Sequence, residues 1–172
     1  GTKRVVTTVD ASMVIEKIHW EVIRTKVCDP YVSEALKNEG GFGGEPSGAW
    51  VFPQISLCPD GIYAAAQIAN IVNHQKLSQL ADNIPSYPLI RSNIAVGDID
   101  MNILQQDLIT EFKPLSSDSV DGIKLNFQDG WLLIRLSGTE PKIRLTAEAE
   151  SHAVARQLIK NGSRIIKKCA LR

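Results

Sequence analysis

The sequence predicts an α/β domain followed by an α+β domain whose antiparallel sheet is covered by helices on one face. The first half alternates short β-rich runs with helical segments, which is the pattern of α/β domains. The second half places strand patterns next to one another around an Asp-Gly turn, and such neighbours predict an antiparallel sheet. With 172 residues, of which 44% are hydrophobic, the chain is long enough for two small cores.

In the first half, capping residues and glycines mark the ends of the predicted elements. Asp10 or Ser12 can cap the first helix, and Asp60 can cap the last. Asp29 before Pro30 fits the start of another helix, because proline is favoured at the first helical position. The predicted order is a strand at 5–9, a helix at 11–18, a strand at 21–27, a helix at 30–38 ended by Gly40, two strands around a glycine-rich loop at 40–53, and a helix at 61–73.

A polar segment, 74–88, is the predicted domain boundary. It contains two prolines near its end, and linkers between domains are often rich in polar residues and proline. We place the break near Ile84, which gives domains at 1–84 and 85–172.

The second half is predicted from apolar spacing and turn residues. Asp-Gly at 129–130 lies between two alternating strand patterns, which is a strong hairpin motif. Apolar residues at helical spacing predict helices before and after this hairpin, with Ser151 opening the second helix. The predicted order is a strand at 90–96, a helix at 98–112, strands at 122–127, 131–136 and 142–149, and a closing helix with apolar positions at Val154, Leu158, Ile165 and Ile166.

Composition excludes several classes of protein and site. Lys plus Arg equals Asp plus Glu at 19 each, so net charge indicates neither a nucleic acid nor an acidic membrane as partner. No apolar run reaches the roughly 18 residues needed to cross a bilayer. The three cysteines, at 28, 58 and 169, form no CxxC pair, and reduced thiols predict a cytoplasmic protein. The histidines lack metal-ligand spacing, so no metal site is expected in this chain.

The turn after the strand 131–136 has the composition of a phosphate-binding loop. Gly138 permits close backbone approach, and Ser137 and Thr139 offer hydroxyl donors. Arg135 and Arg144 bracket the turn and carry planar guanidinium groups that can bind a phosphate dianion in bidentate fashion. A solvated turn between two exposed arginines remains the alternative, because Ser-Gly-Thr is also a common turn composition.

A second loop, 43–48, has residues suited to sugar hydroxyls. The Glu45 carboxylate can accept hydrogen bonds from two neighbouring hydroxyls, and Ser47 can both donate and accept. A flexible turn is the alternative, because glycine clusters usually form turns.

Both loops resemble motifs of the α-phosphohexomutase family. Residues 135–144 are similar to its R-x-S-G-T-E-P-x-x-R phosphate loop in domain four, and residues 44–48 resemble its G-E-x-S-G sugar loop in domain three. The resemblance implies that 1–84 is most of domain three, with a mixed sheet, and that 85–172 is domain four, with a TATA-box-binding-protein-like fold. It also implies that Arg135, Ser137, Gly138, Thr139 and Arg144 bind phosphate, while Glu45 and Ser47 bind the sugar.

The segment 25–29 is similar to a T-x-V-G-D segment of domain three and adds two further candidates. The resemblance implies that Lys26 or Asp29 faces the substrate, although Asp29 also fits a helix cap. Two positions depart from the family pattern: Cys28 occupies the usual glycine, and Ala49 follows the sugar loop where many members carry histidine.

The resemblance implies an enzyme that interconverts hexose 1-phosphate and hexose 6-phosphate through a bisphosphorylated intermediate. Members carry a phosphoserine within T-A-S-H-N-P and a magnesium-binding D-G-D-x-D-R loop, and neither motif occurs in these 172 residues. We therefore expect magnesium in the full-length enzyme and none bound by this part, which needs the amino-terminal domains of the same enzyme and is inactive alone. The loops do not distinguish glucose, mannose and glucosamine phosphates.

Two other functions are compatible with parts of the sequence. A stand-alone sugar-phosphate-binding or regulatory module would need the same loops without catalysis. Nucleic-acid binding could be read from basic residues near the carboxyl end, but no aromatic residues are interleaved with them, so a solvated helix face is the simpler interpretation.

Overall fold

The computed structural model describes residues 3–39, 41–97, 99–138 and 140–171. The chain forms two compact units, Gly1–Ser86 and Tyr87–Arg172. Within the described ranges, no helix combines the length and apolar character required to cross a bilayer.

The first unit is a four-stranded mixed sheet with short helices. Its elements are β1 (Arg4–Thr8), a 3-10 helix (Met13–Ile18), β2 (Glu21–Thr25), α1 (Asp29–Glu39), β3 (Phe42–Gly44), β4 (Trp50–Val51), α2 (Gly61–Val72) and α3 (Leu77–Asp82). The strand order is β2-β1-β3-β4, in which β1 pairs in parallel with β2 and β3, and β3 pairs antiparallel with β4. This arrangement confirms the predicted α/β domain with a mixed sheet.

The core of the first unit is small. Val6 of β1, Val32 and Leu36 of α1, and Val51 of β4 are fully or almost fully buried together. Gly43 of β3 lies directly beneath α1, and this close approach leaves no room for a side chain. By contrast, α2 buries only Ala64. The packing of this unit therefore depends mainly on α1.

The second unit is a five-stranded antiparallel sheet with two helices. Its elements are β5 (Leu89–Ala95), α4 (Met101–Phe112), β6 (Ser116–Asp118), β7 (Ile123–Asn126), β8 (Gly130–Leu136), β9 (Lys142–Ala149) and α5 (His152–Cys169). The strand order is β5-β9-β8-β7-β6, and all neighbours are antiparallel. Leu132, Ile134, Leu145 and Ala147 share one core with residues of α4 and α5. The predicted α+β domain, with an antiparallel sheet and helices on one face, is confirmed.

The face of the second sheet opposite this core also contains buried residues. Side chains alternate along a strand, so Trp131 and Leu133 lie on that face, and both are buried. Trp131 Nε1 donates to Glu148 Oε2 at 2.9 Å, and Lys124 Nζ lies 4.7 Å from the centroid of the Trp131 ring. Trp131, Glu148 and Lys124 therefore form a polar cluster on the face of the sheet opposite the helices.

Several predicted boundaries were wrong. The helix expected at 11–18 is a 3-10 helix that starts only at Met13, with the Ser12 hydroxyl accepting from the amide of Val14. The helix expected from residue 98 starts at Met101, because the Asp100 carboxylate caps the amides of Asn102 and Ile103. Asp98 lies outside the described residues, as does Gly40, the residue predicted to end α1.

Two elements were missed altogether. Within the polar segment 74–88, Leu77–Asp82 forms α3, and Ser116–Asp118 pairs with β7 as β6.

The two compact units divide after Ser86, whereas the proposed break lies near Ile84.

Candidate functional site

The glycine-rich segment 43–48 forms a tight connection between β3 and β4. The Glu45 amide donates to the Ala49 carbonyl at 3.0 Å, and the Gly48 amide donates to the Glu45 carbonyl at 3.0 Å. Gly48 has a φ of +93°, which glycine adopts without steric cost. These bonds bring the two predicted sugar ligands together, and the Ser47 hydroxyl lies 3.3 Å from Glu45 Oε2. The pair offers a carboxylate and a hydroxyl side by side.

Lys26 and Asp29 lie at the same edge of the sheet as this loop. Lys26 directly follows β2 and Glu45 directly follows β3, and both strands are parallel to β1, which lies between them. Ligands of open α/β sheets usually bind at the carboxyl ends of the parallel strands. Lys26 Nζ lies 5.7 Å from the centroid of the Tyr31 ring, and Lys26 itself is exposed. These residues therefore have the placement that a polar ligand at this edge would need.

Asp29 was predicted either to face the substrate or to cap the helix that follows it. A capping residue stands immediately before its helix, whereas Asp29 is the first residue of α1. Asp29 therefore does not have the position that a cap requires. Its Oδ1 lies 3.9 Å from Cys28 Sγ, and Cys28 has a φ of 146°. A positive φ explains why glycine is usual at this position in the family that the segment resembles.

An apolar cavity of about 390 Å³ adjoins the sugar loop within the first unit. Val5, Phe42 and Trp50 of the sheet line it, Val14, Ile15 and Ile18 of the 3-10 helix contribute to its wall, and Glu45 and Pro46 also reach it. The first crossover contains only this six-residue 3-10 helix, which buries none of its residues. The short crossover therefore leaves part of this sheet face uncovered.

The two arginines of the predicted phosphate loop lie on one face of the second sheet. Arg135 of β8 and Arg144 of β9 are directly opposite in the strand register, and such partners share a face. Arg144 Nη2 lies 3.4 Å from the Ser137 hydroxyl, so Arg144 contacts the loop itself. Arg135 instead forms an ion pair with Asp121, with Nη2 and Oδ2 separated by 2.8 Å.

The protein itself uses part of the hydrogen-bonding capacity of this loop. The Ser137 amide donates to the Lys142 carbonyl at 2.9 Å, and the Lys142 amide donates to the Glu140 carbonyl at 2.7 Å. The amides of Gly138 and Glu140 donate to no backbone carbonyl of a described residue. Thr139, the remaining predicted phosphate ligand, lies outside the described residues. The described loop therefore offers a hydroxyl, amides and guanidinium groups, in agreement with the chemistry of an anion site.

A further ion pair, which the sequence interpretation missed, lies in this loop. Lys142 Nζ lies 2.6 Å from Glu140 Oε2. The hydrogen bond and charge of Lys142 hold the pKa of the Glu140 carboxyl below its ordinary value, and the charge of Arg144 adds to the effect. Glu140, Lys142 and Ser137 also line a cavity of about 290 Å³ beside the loop. Lys142 therefore belongs among the cations available to an anion here.

A metal centre in a protein is built from clustered ligand side chains. Among the residues for which the structure gives a placement, no three His, Cys, Asp or Glu side chains cluster in a way that could hold a metal ion.

Family models match the chain in two consecutive parts. The model described as phosphoglucomutase/phosphomannomutase, alpha/beta/alpha domain III, matches residues 1–87. The model described as phosphoglucomutase/phosphomannomutase, C-terminal domain, matches residues 93–162.

Curated relatives and solved structures are similar over nearly the whole chain. A probable phosphoglucosamine mutase of Methanosarcina acetivorans is 42% identical over 91% of this chain and 38% of the relative. A phosphoglucosamine mutase of Methanocaldococcus jannaschii is 40% identical over 97% of this chain and 40% of the relative. The chain thus spans about two fifths of the length of these relatives.

Two solved structures share the fold. A phosphoglucomutase/phosphomannomutase family protein from Burkholderia thailandensis has a TM-score of 0.79 at 22% identity, covering 97% of this chain and 38% of that one. The Aspergillus fumigatus N-acetylphosphoglucosamine mutase, solved with GlcNAc-6P and magnesium, has a TM-score of 0.72 at 16% identity, covering 98% of this chain and 39% of that one.

Proposed function

Because the chain belongs to the phosphoglucomutase/phosphomannomutase family, we propose that it is the carboxyl-terminal part of an enzyme that interconverts hexose 1-phosphate and hexose 6-phosphate. The reaction proceeds through a bisphosphorylated intermediate, and the enzyme is cytoplasmic. Phosphoglucosamine is the favoured substrate class, because the similar curated relatives are phosphoglucosamine mutases. Consecutive matches to two domains of one family favour part of this enzyme over a stand-alone binding module.

The observation that carries the proposal is the pairing of Arg135 with Arg144 beside the Ser137 turn. Two guanidinium groups on one face, with a hydroxyl 3.4 Å from the second, suit the oxygens of a phosphate dianion. In this role Arg135, Ser137, Gly138, Thr139 and Arg144 hold the phosphate that is not being transferred. Binding energy from that phosphate helps to position the reacting end of the sugar.

The first unit supplies the groups that recognise the sugar. Glu45 accepts hydrogen bonds from hydroxyls, and Ser47, 3.3 Å from its carboxylate, donates or accepts beside it. Lys26 and Asp29 at the same sheet edge complete the polar set. An exocyclic ammonium, as in a glucosamine phosphate, would favour carboxylates at this edge over neutral ligands.

Catalysis requires the domains that precede this part in the family. The phosphoserine and magnesium motifs are absent from the 172 residues, so the chain alone binds substrate without transferring phosphate. In the complete enzyme those domains would hold magnesium, which would neutralise charge on the phosphoryl group.

Titration of the chain with glucosamine 6-phosphate, mannose 1-phosphate and inorganic phosphate tests the proposal. We expect all three to bind, with both sugar phosphates tighter than inorganic phosphate. Arg135→Ala removes charge-assisted hydrogen bonds and should weaken binding of each ligand by a factor on the order of ten or more. Chemical-shift changes of the Ser137 and Gly138 amides give the dissociation constants.

Arg164→Ala is the matched control for this experiment. Arg164 lies on α5, and its Nη2 is 3.1 Å from Glu111 Oε2. Arg164→Ala therefore removes one positive charge and one ion pair, as Arg135→Ala does, but at a different place in the same unit. It should leave all three dissociation constants unchanged, apart from a small general effect of charge. Equal weakening by both variants, or no binding to the parent chain, would refute the phosphate loop.

A further inference from the structure

We propose that Asp121 and Gly122 form a cradle that positions Arg135 for the phosphate. The inference rests on the proposed function and deepens it. Asp121 and Gly122 lie outside both loop motifs, so the motifs assign them no role. Asp121 Oδ2 lies 2.8 Å from Arg135 Nη2, and the two side chains are only 22% and 26% exposed. An ion pair that is this far withdrawn from solvent fixes a guanidinium better than an exposed pair does.

Gly122 makes a separate contact with the same arginine. A Cβ built on Gly122 would lie 2.8 Å from Arg135 Cγ and would overlap the Ile134 carbonyl oxygen. The glycine also has a φ of +86°, which residues with a side chain rarely adopt. The backbone at Gly122 therefore lies directly against the aliphatic part of Arg135, while the carboxylate of Asp121 binds its head.

The strand register explains why Arg135 needs a counterion. Arg135 and Arg144 are directly opposite in β8 and β9, and like charges in this position repel. The Asp121 carboxylate offsets this repulsion on one side through its contact with Nη2. A guanidinium has five N–H donors, so an arginine held at Nη2 can still donate to ligand oxygens in a fixed orientation.

Positioning and competition predict opposite effects when the carboxylate is removed. If Asp121 merely competes with an anion for Arg135, Asp121→Asn strengthens phosphate binding, because one negative charge near the ligand is lost. If Asp121 positions Arg135, the same substitution weakens binding in spite of the more favourable charge. The sign of the change therefore distinguishes the two roles.

Titration of the 15N-labelled chain with inorganic phosphate at constant ionic strength measures this sign. We expect Asp121→Asn to raise the dissociation constant about fivefold, the scale of one ordinary hydrogen bond. Glu111→Gln is the matched control, since it removes a carboxylate from another arginine pair of the same unit and should change nothing. Asp121→Glu keeps the charge and should recover part of the affinity.

A double-mutant cycle shows whether Asp121 acts through Arg135. In an Arg135→Ala background, Asp121→Asn should no longer weaken phosphate binding, because the group that it positions is absent. The side-chain 15N resonances of Arg135 give an independent measurement. They should be separately resolved in the parent and averaged by faster rotation in Asp121→Asn.

Gly122→Ala tests the cradle without any change of charge. Melting temperatures first establish that the variant folds, and in folded protein the dissociation constant for phosphate should rise. If it does not fold, the Asp121 variants and the cycle decide the matter.

The possible failures are distinguishable. Phosphate binding that is unchanged or tighter in Asp121→Asn, or a loss of equal size in the Arg135→Ala background, would overturn the cradle alone. A parent chain that binds no phosphate would overturn the proposed function and this inference with it.

Discussion

The two units differ in how much apolar side chain they bury. Among the described residues of the second unit, 14 buried residues from both helices and from β5, β7, β8 and β9 form one cluster beneath the sheet. In the first unit, four buried residues form the corresponding cluster, and Ile62 of α2 is 88% exposed. The proposed phosphate loop is thus attached to a well-packed sheet, whereas the proposed sugar loop belongs to a unit whose stability depends on a few contacts. Preorganisation of ligand groups needs rigid support, so we expect the arginines to be better fixed than Glu45 and Ser47.

The largest effect is expected from Leu145→Ala in the core of the second unit. Leu145 is fully buried between β9 and the helices, and its truncation should lower the free energy of unfolding by roughly 3 kcal/mol through lost burial and a residual cavity. Leu36→Ala in the first unit should cost less, roughly 2 kcal/mol, because a small core collapses more easily around a cavity. Urea unfolding followed by amide NMR reports each unit separately.

Leu171→Ala is the control for both leucines. Leu171 is 89% exposed, so its truncation should change neither unfolding transition. A larger loss for Leu36→Ala than for Leu145→Ala would reverse the comparison between the units.

An intermediate effect is expected from Gly43→Ala beneath α1. The new Cβ would lie 2.7 Å from Leu36 Cδ1, 2.8 Å from Val32 Cγ1 and 3.0 Å from the Val6 carbonyl oxygen. Crowding at the centre of the smaller core should cost about 1–3 kcal/mol of the free energy of unfolding of the first unit. Circular dichroism during urea titration measures the loss.

Gly61→Ala provides the matched substitution in open space. A Cβ at Gly61 meets nothing within 4 Å, so the variant should be neutral or slightly more stable. Equal changes in the free energy of unfolding for the two glycine variants would exclude close packing under α1 as the main support of the first unit.

The smallest effect concerns the charge of the phosphate loop. Lys142 lowers the pKa of Glu140 in the folded chain, so the pair stabilises the fold above the unfolded pKa and loses this contribution as the pH falls through the folded pKa. Lys142→Met should raise the Glu140 pKa toward its ordinary value, as followed by the carboxyl carbon resonance during a pH titration. Lys167→Met on α5 should have no effect on it, and an unchanged Glu140 pKa in Lys142→Met would exclude the pair as the cause.

The elements that could be predicted from the sequence are those with a local cause. Gln128-Asp129-Gly130 identified the hairpin of β7 and β8, and the Ser151 hydroxyl does accept from the Val154 amide at 3.3 Å at the start of α5. Short elements such as β6 and α3 were missed, because three to six residues give too little periodicity to distinguish them from a loop.

The partners of the site residues were harder to predict, because they come from other strands. In the structure Ile123 pairs with Ile134, and one further step along this register places Gly122 beside Arg135. A loop at 128–130, as predicted from the sequence, would instead put Ile123 opposite Arg135, so the sequence alone would not have identified Asp121. Strand register also gives no side-chain conformation. The contact of Arg135 with Asp121 and that of Arg144 with Ser137 therefore required coordinates.

The turn that follows β2 keeps a backbone shape that its own residue does not favour. Cys28 has a φ of 146°, a sparsely populated conformation that costs a residue with a side chain on the order of 1–3 kcal/mol. The family segment that 25–29 resembles has glycine at this position, and glycine would adopt the same backbone shape without that cost. The turn therefore stores local strain that the rest of the fold must offset.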